Sequence, residues 1–176
     1  MVWERAVGRH NGHDGDGLLA MRGEGDRIRL GEVYPGSLGG VIAPIAADAD
    51  TVFAPVVNHP VTLESGTEMA ETSPVATGEL VALDLATGEV EWNAKFGSPA
   101  YGGATVVNDL VFTTTADGVV HALDVDSGGE VWQGQLPAGT NAGVAVSGDT
   151  LIAPAGLALA EGQEPQIVAF RLGGGN

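Results

Sequence analysis

The chain has 176 residues, 44% of them apolar, with 23 acidic against 7 basic side chains and a formal net charge of −16. That length and apolar content suit one domain with a core, and so acidic a surface repels nucleic acid and anionic membranes while suiting cations or a high-salt setting. The lack of cysteine excludes a disulfide and a Cys-x-x-Cys-His haem attachment. No apolar run reaches the roughly eighteen residues of a membrane-spanning helix.

Taken in order, Val2-Trp-Glu-Arg-Ala-Val7 has the pattern of a strand, and the opening residues lack the long apolar region of an export leader. Arg9 to Gly17 is a polar, glycine-rich loop carrying His10, His13, Asp14 and Asp16. Imidazoles suit zinc or copper and carboxylates suit calcium, so these four are candidate metal ligands. An ordinary polar loop is the competing reading. His-x-x-His supplies two ligands where zinc takes three or four, and the twelfth position of an EF-hand-like loop from Asp14 is Gly25, not Glu. Leu18–Met21 and Ile28–Tyr34 read as short strands, and Pro35-Gly36 as a turn.

Three similar units follow. In each, a first strand turns at an Asp into a second: Asp50 before Thr51–Pro55, Asp109 before Leu110–Thr114, and Asp149 before Thr150–Pro154. Third strands follow at Glu79–Asp84, Val119–Asp124 and Gln166–Arg171, and these β-branched runs bounded by turn residues predict antiparallel sheet. In the first two units the chain turns again into a fourth strand. Here the sequence repeats: Ala82, Asp84, Thr87, Gly88 and Trp92 recur as Ala122, Asp124, Ser127, Gly128 and Trp132, each 40 residues on. A fixed period of this size marks a propeller or a solenoid. Asp and Thr bond nearby backbone groups in the turn, and Gly takes the positive φ that closes it. A Trp once per unit suits the seam between units, so Trp92 and Trp132 are expected to be largely buried there.

The pattern Ala-x-Asp-x-x-Thr-Gly-x-x-x-Trp at 82–92, with Ser127 for Thr at 122–132, resembles the repeat of the PQQ-binding-like β-propellers. The resemblance implies an all-β fold: a partial β-propeller of four-stranded antiparallel blades, each docked on the next by its Trp. It implies one propeller domain over 1–176, with the end of a preceding blade and a long loop at 1–36. Blades then occupy 37–96 and 97–136, and an incomplete blade 137–172. The family includes quinoprotein alcohol and sugar dehydrogenases and also propellers of outer-membrane protein assembly. PQQ, calcium and an extracytoplasmic location are implied by that resemblance alone.

The units differ most between their second and third strands. Asn58–Thr77 in the first and Gly156–Pro165 in the third are longer than the corresponding link in the second. These links, and those from a fourth strand to the next first strand, fall on one rim, where repeat proteins often bind. His10, His13, Asp14, Asn58, His59 and Tyr101 are expected together there. Asn58, His59, Tyr101 and Asn141 are the candidate ligand-binding residues. Asn58-His59-Pro60 is equally a strand end stopped by Pro. Gly39-Gly40 and Gly102-Gly103 could admit a flat ligand near the axis, or serve tight bends. His121 stands where the repeat has Val81, which places it in packing between blades. Two functions remain: the C-terminal part of a quinoprotein-type dehydrogenase acting on alcohols or sugars, or a non-catalytic propeller binding a protein or small ligand on one rim. Three blades are too few for a ring, so the expected partners are the blades that would precede this chain or a second copy of it.

Overall fold

A computed structural model describes residues 1–11, 31–36, 38–64, 67–69, 76–158 and 160–171. The secondary structure of the described residues is β throughout, in antiparallel sheets. Blade one is ordered β2(Ala46–Ala47)-β3(Thr51–Asn58)-β6(Thr77–Asp84)-β7(Val90–Phe96). Blade two is β8(Thr105–Val107)-β9(Leu110–Thr114)-β10(Val119–Asp124)-β11(Glu130–Gln135). Among the described residues blade three has three strands, β12(Ala145–Ser147)-β13(Thr150–Ala155)-β14(Gln166–Arg171). A further small sheet, β1(Gly31–Val33)-β4(Val61–Glu64)-β5(Thr67–Met69), joins the segment after the long loop to the insertion of blade one.

The repeated residues have matching jobs. Asp84 Oδ1 accepts the Thr87 N–H at 2.6 Å and the Thr87 hydroxyl at 2.7 Å, and Asp124 does the same for Ser127 at 2.9 and 2.6 Å. Those hydroxyl bonds, with the backbone N–H groups beside them, hold both carboxyls below the usual Asp range. The turns close on Gly88 and Gly128, whose φ angles are 71° and 67°.

Those glycines serve a second need. A Cβ on Gly88 would stand 2.5 Å from the Trp3 ring, and one on Gly128 would stand 2.5 Å from the Trp92 ring. Each ring lies on the turn of the next blade and donates its Nε1–H to a carbonyl there: Trp3 to Leu85 at 2.9 Å, and Trp92 to Val125 at 2.7 Å. Ala82 faces Trp92 across the ladder as Ala122 faces Trp132, and both ladders bulge just after that pair.

Alternate residues of each strand point to opposite faces, and in blades one and two both faces are covered. Val52, Val56, Val81 and Leu83 of blade one receive Trp3 and Val7. Phe53, Leu80 and Ala82 on its other face pack with Val111 and Leu123 of blade two. Phe112, Val120 and Ala122 in turn meet Leu151, Ala153 and Ala155 of blade three.

Trp132 departs from expectation. It is 39% exposed, and its ring meets Phe170 edge-on at 5.2 Å, while Trp92 is half-buried. The docked rings lie over turns at the outer border of the seam, so even a well-docked Trp keeps one face toward water. Trp132 has no such turn beneath it among the described residues.

Candidate functional site

The elaborated rim is built from the ends of several strands. Asn58 closes β3 and is 3% exposed. Its Nδ2 donates to Glu79 Oε1 at 2.5 Å, and its Oδ1 accepts the Arg9 backbone N–H at 2.7 Å. Glu79, 8% exposed, accepts the Asn93 amide on its other oxygen. Arg9 Nη1 donates to the Tyr34 hydroxyl at 2.8 Å, and its guanidinium lies 3.8 Å from the centre of that ring. Asn11 Oδ1 accepts the Tyr34 N–H at 2.7 Å. Tyr34 is buried, which raises its hydroxyl's pKa despite the Arg9 charge. Both carboxyl oxygens of the buried Glu79 thus have amide partners, as a buried polar group requires. The cluster ties residues 9–11, the segment leading from β1, and blade one into a single rim.

His59, next to Asn58, is 4% exposed, and burial lowers the pKa of its ring. Its carbonyl accepts the Gly36 N–H at 2.7 Å. His10 is exposed beside Arg9, and Asn141 is exposed on the link before blade three. Tyr101 is half-buried on the link before blade two, and burial raises its pKa. The structure thus brings Asn58 against the segment that carries His10, while His59 beside it is bonded through its carbonyl to Gly36. Tyr101 and Asn141 stand on separate links. His13, Asp14 and Asp16 lie outside the described residues.

A second polar cluster lies on blade two at its seam with blade one. His121 Nδ1 lies 2.5 Å from Glu130 Oε1, and its Nε2 lies 3.1 Å from Thr115 Oγ1. Thr115 Oγ1 in turn lies 2.6 Å from Asp117 Oδ1. The Phe96 ring of blade one stacks on His121 with centroids 4.3 Å apart. This chain of groups lines a half-open cleft of about 240 Å³ with Lys95, Ser98 and Leu123. Sequence reading placed His121 in the seam but missed its partners. Glu130 was visible as the counterpart of Val90, whereas Thr115 enters only through β9, whose link to β10 breaks the 40-residue spacing.

The Asn58–Glu79 cluster does not offer PQQ or calcium an open ligand. Both oxygens of Glu79 and the oxygen of Asn58 are taken, and among the described residues no group of three His, Asp or Glu side chains could hold a metal. Gly39, Gly102 and Gly103 are closely packed, whereas a Cβ on Gly40 would meet only the Pro35 ring, at 3.7 Å. A Cβ on Gly39 would meet the His59 carbonyl at 2.7 Å, one on Gly102 would meet Thr114, and one on Gly103 would meet Pro44 at 3.1 Å. At Gly39, Gly102 and Gly103 the missing Cβ makes room for neighbouring residues of the chain itself.

A family model described as outer membrane protein assembly factor BamB matches residues 2–176. Over 88 residues the chain is 34% identical to the quinoprotein glucose dehydrogenase of Escherichia coli (strain K12), covering 38% of this chain and 11% of that protein. Over 63 residues it is 40% identical to the quinoprotein ethanol dehydrogenase of Pseudomonas aeruginosa, covering 35% of this chain and 10% of that protein. The matches therefore span about a tenth of these curated relatives. Among solved structures, the quinohemoprotein alcohol dehydrogenase from Comamonas testosteroni superposes with a TM-score of 0.62 at 20% identity, over 79% of this chain and 27% of that one. A quinohemoprotein alcohol dehydrogenase from Pseudomonas putida HK5 gives 0.58 at 20% identity, over 73% of this chain and 24% of that one. At that identity the structural likeness speaks of fold alone.

Proposed function

The chain belongs to the PQQ-repeat propeller family described as outer membrane protein assembly factor BamB, and from that premise we propose that it is a binding scaffold. Its elaborated rim presents a preformed surface to a protein or a small ligand. One observation carries this reading: the polar groups of the rim are bonded to one another. Asn58, Glu79, Asn93, Arg9 and Tyr34 hold the small β1-β4-β5 sheet and the strand end in place, and they offer no open donor set to a cofactor. A surface fixed in this way binds without an ordering cost. Calorimetric titration of the chain with PQQ and calcium tests the reading, with no saturable heat expected. Saturable binding accompanied by alcohol-dependent dye reduction would sink it.

That second outcome would favour the other reading, the C-terminal part of a quinoprotein-type dehydrogenase acting on alcohols or sugars. Identities of 34% and 40% to quinoprotein glucose and ethanol dehydrogenases support it. In that case PQQ and calcium would be held by residues other than those described. The family description, with its outer membrane, supports an extracytoplasmic location for either reading. No helix among the described residues is long and apolar enough to cross a membrane.

A further inference from the structure

The seams on the two sides of blade one can be compared residue by residue. Trp3 sits on Gly88 and bonds Leu85 just as Trp92 sits on Gly128 and bonds Val125. In the first seam Arg5, two residues after Trp3, crosses to the turn, and its Nε donates to the Gly88 carbonyl at 2.8 Å. In the second seam the residue two after Trp92 is Ala94, which has no donor to send across. The Gly128 carbonyl, the counterpart of that acceptor, receives no donor among the described residues. The half-open cleft of about 240 Å³ lies there, with Ala94, Gly128 and Glu130 in its lining.

The charges differ in a complementary way. Position 94 lacks the cation of Arg5, and Glu130 adds an anion where the first seam has Val90. The Glu130 side chain is 41% exposed, and its Oε1 is engaged by His121 while its Oε2 has no partner among the described residues. Asp117 brings a second carboxylate to the cleft and Lys95 one ammonium, which leaves it negative.

We propose that the cleft is a guanidinium site, taking from a ligand the arginine head that Arg5 supplies to the first seam. The guanidinium donates to the Gly128 carbonyl and to Glu130 Oε2, and the methylenes behind it run along Ala94, Phe96 and Leu123. Its N–H donors form a fixed fork that serves a carbonyl and a carboxylate together, which a compact ammonium does less well. The acidic chain draws such a cation in from a distance. The bearer is an arginine side chain of a peptide or a small free guanidinium compound. This inference goes beyond the rim reading and does not rest on it, since Ala94, Gly128 and Glu130 take no part in the Asn58–Glu79 cluster.

The test is a titration of the ¹⁵N-labelled chain with methylguanidinium chloride, with methylammonium chloride at equal ionic strength as the control. Saturable amide shifts are expected at Ala94, Glu130 and Gly129, whose N–H reports on the Gly128 carbonyl, and methylammonium should bind more weakly. Glu130→Gln keeps an acceptor for His121 and should weaken binding about fivefold, the size of one partly exposed ion pair. Ala94→Arg rebuilds the first seam's arrangement and should abolish the shifts by filling the cleft from within. If that variant fails to fold, the Glu130→Gln loss still decides. A capped tripeptide with a central arginine separates the two bearers: binding at least as tight as methylguanidinium supports a peptide's arginine, and weaker binding supports a small free compound. The proposal is overturned by no saturable shift with either guanidinium probe, by equal binding of methylammonium, or by binding that neither substitution alters.

Discussion

The seam between residues 2–8 and blade one is apolar, whereas the seam between blades one and two is polar at equivalent positions. The first sets Val7 against Val56 and Val81. The second sets Phe96 against Thr115 and His121, with Glu130 in the place of Val90. The strand ladders put Val56 and Thr115 in register, because Val81 faces Ala54 and His121 faces Thr113. Blade three repeats the apolar solution, with Ala155 and Val168 at these sites and Leu136 opposite. The fold is therefore content with valines in this layer. A buried His and Thr are tolerated only because each has a partner, and stability alone does not call for them.

The comparison can be sharpened most at the repeated Trp, docked on a turn in one case and not in the other. Trp92→Ala should cost about 3 kcal/mol, since it removes a large side chain packed on a turn together with its bond to Val125. Trp132→Ala should cost about 1 kcal/mol, because that ring is more exposed and touches less. Urea melts of the two variants test this, and equal losses would show that docking on the next turn contributes little.

Within the polar seam, His121→Val alone should cost about 1–2 kcal/mol, because it removes the buried ring's bond to Glu130 and one partner of the buried Thr115. Replacing Thr115, His121 and Glu130 together with Val should bring stability back to within about 1 kcal/mol of the parent, since paired polar groups replaced by apolar ones of similar shape are nearly neutral. A triple variant less stable than the single one would mean that the polar chain stabilises the seam.

The smallest expected effect is on pH dependence. Burial holds the His59 ring below its ordinary 6.5. A group with a depressed pKa in the folded state contributes stability above its unfolded value and loses it as pH falls through the folded one. Melting temperature should therefore fall as pH drops below about 6.5, and His59→Gln should flatten that decline. Asp84 and Asp124 act in the same direction at lower pH, since their turn bonds depress both carboxyls. A His59→Gln profile parallel to the parent would remove His59 as the cause.

The turn motif, the strands and the order of each blade were legible in the sequence because they depend on near neighbours. Asp, Thr and Gly at fixed spacing bond within five residues, and the 40-residue period put a Trp near the start of both fourth strands. The room for each ring on the following turn belongs to the same repeat. Tertiary structure alone decided what depends on partners far along the chain. Gly31–Val33 pairs with Val61–Leu63, so the loop and the insertion share a sheet that neither pattern announces. Asn58 looked like an open ligand, but its oxygen is taken by Arg9 and its amide by Glu79, 49 and 21 residues away. Trp132 repeats the motif faithfully and is still exposed, because a docking residue is buried only by the surface it docks on. A repeat fixes local hydrogen bonds and the faces of its strands. Which polar atoms remain free, and which seams close, follows from contacts that no single repeat contains.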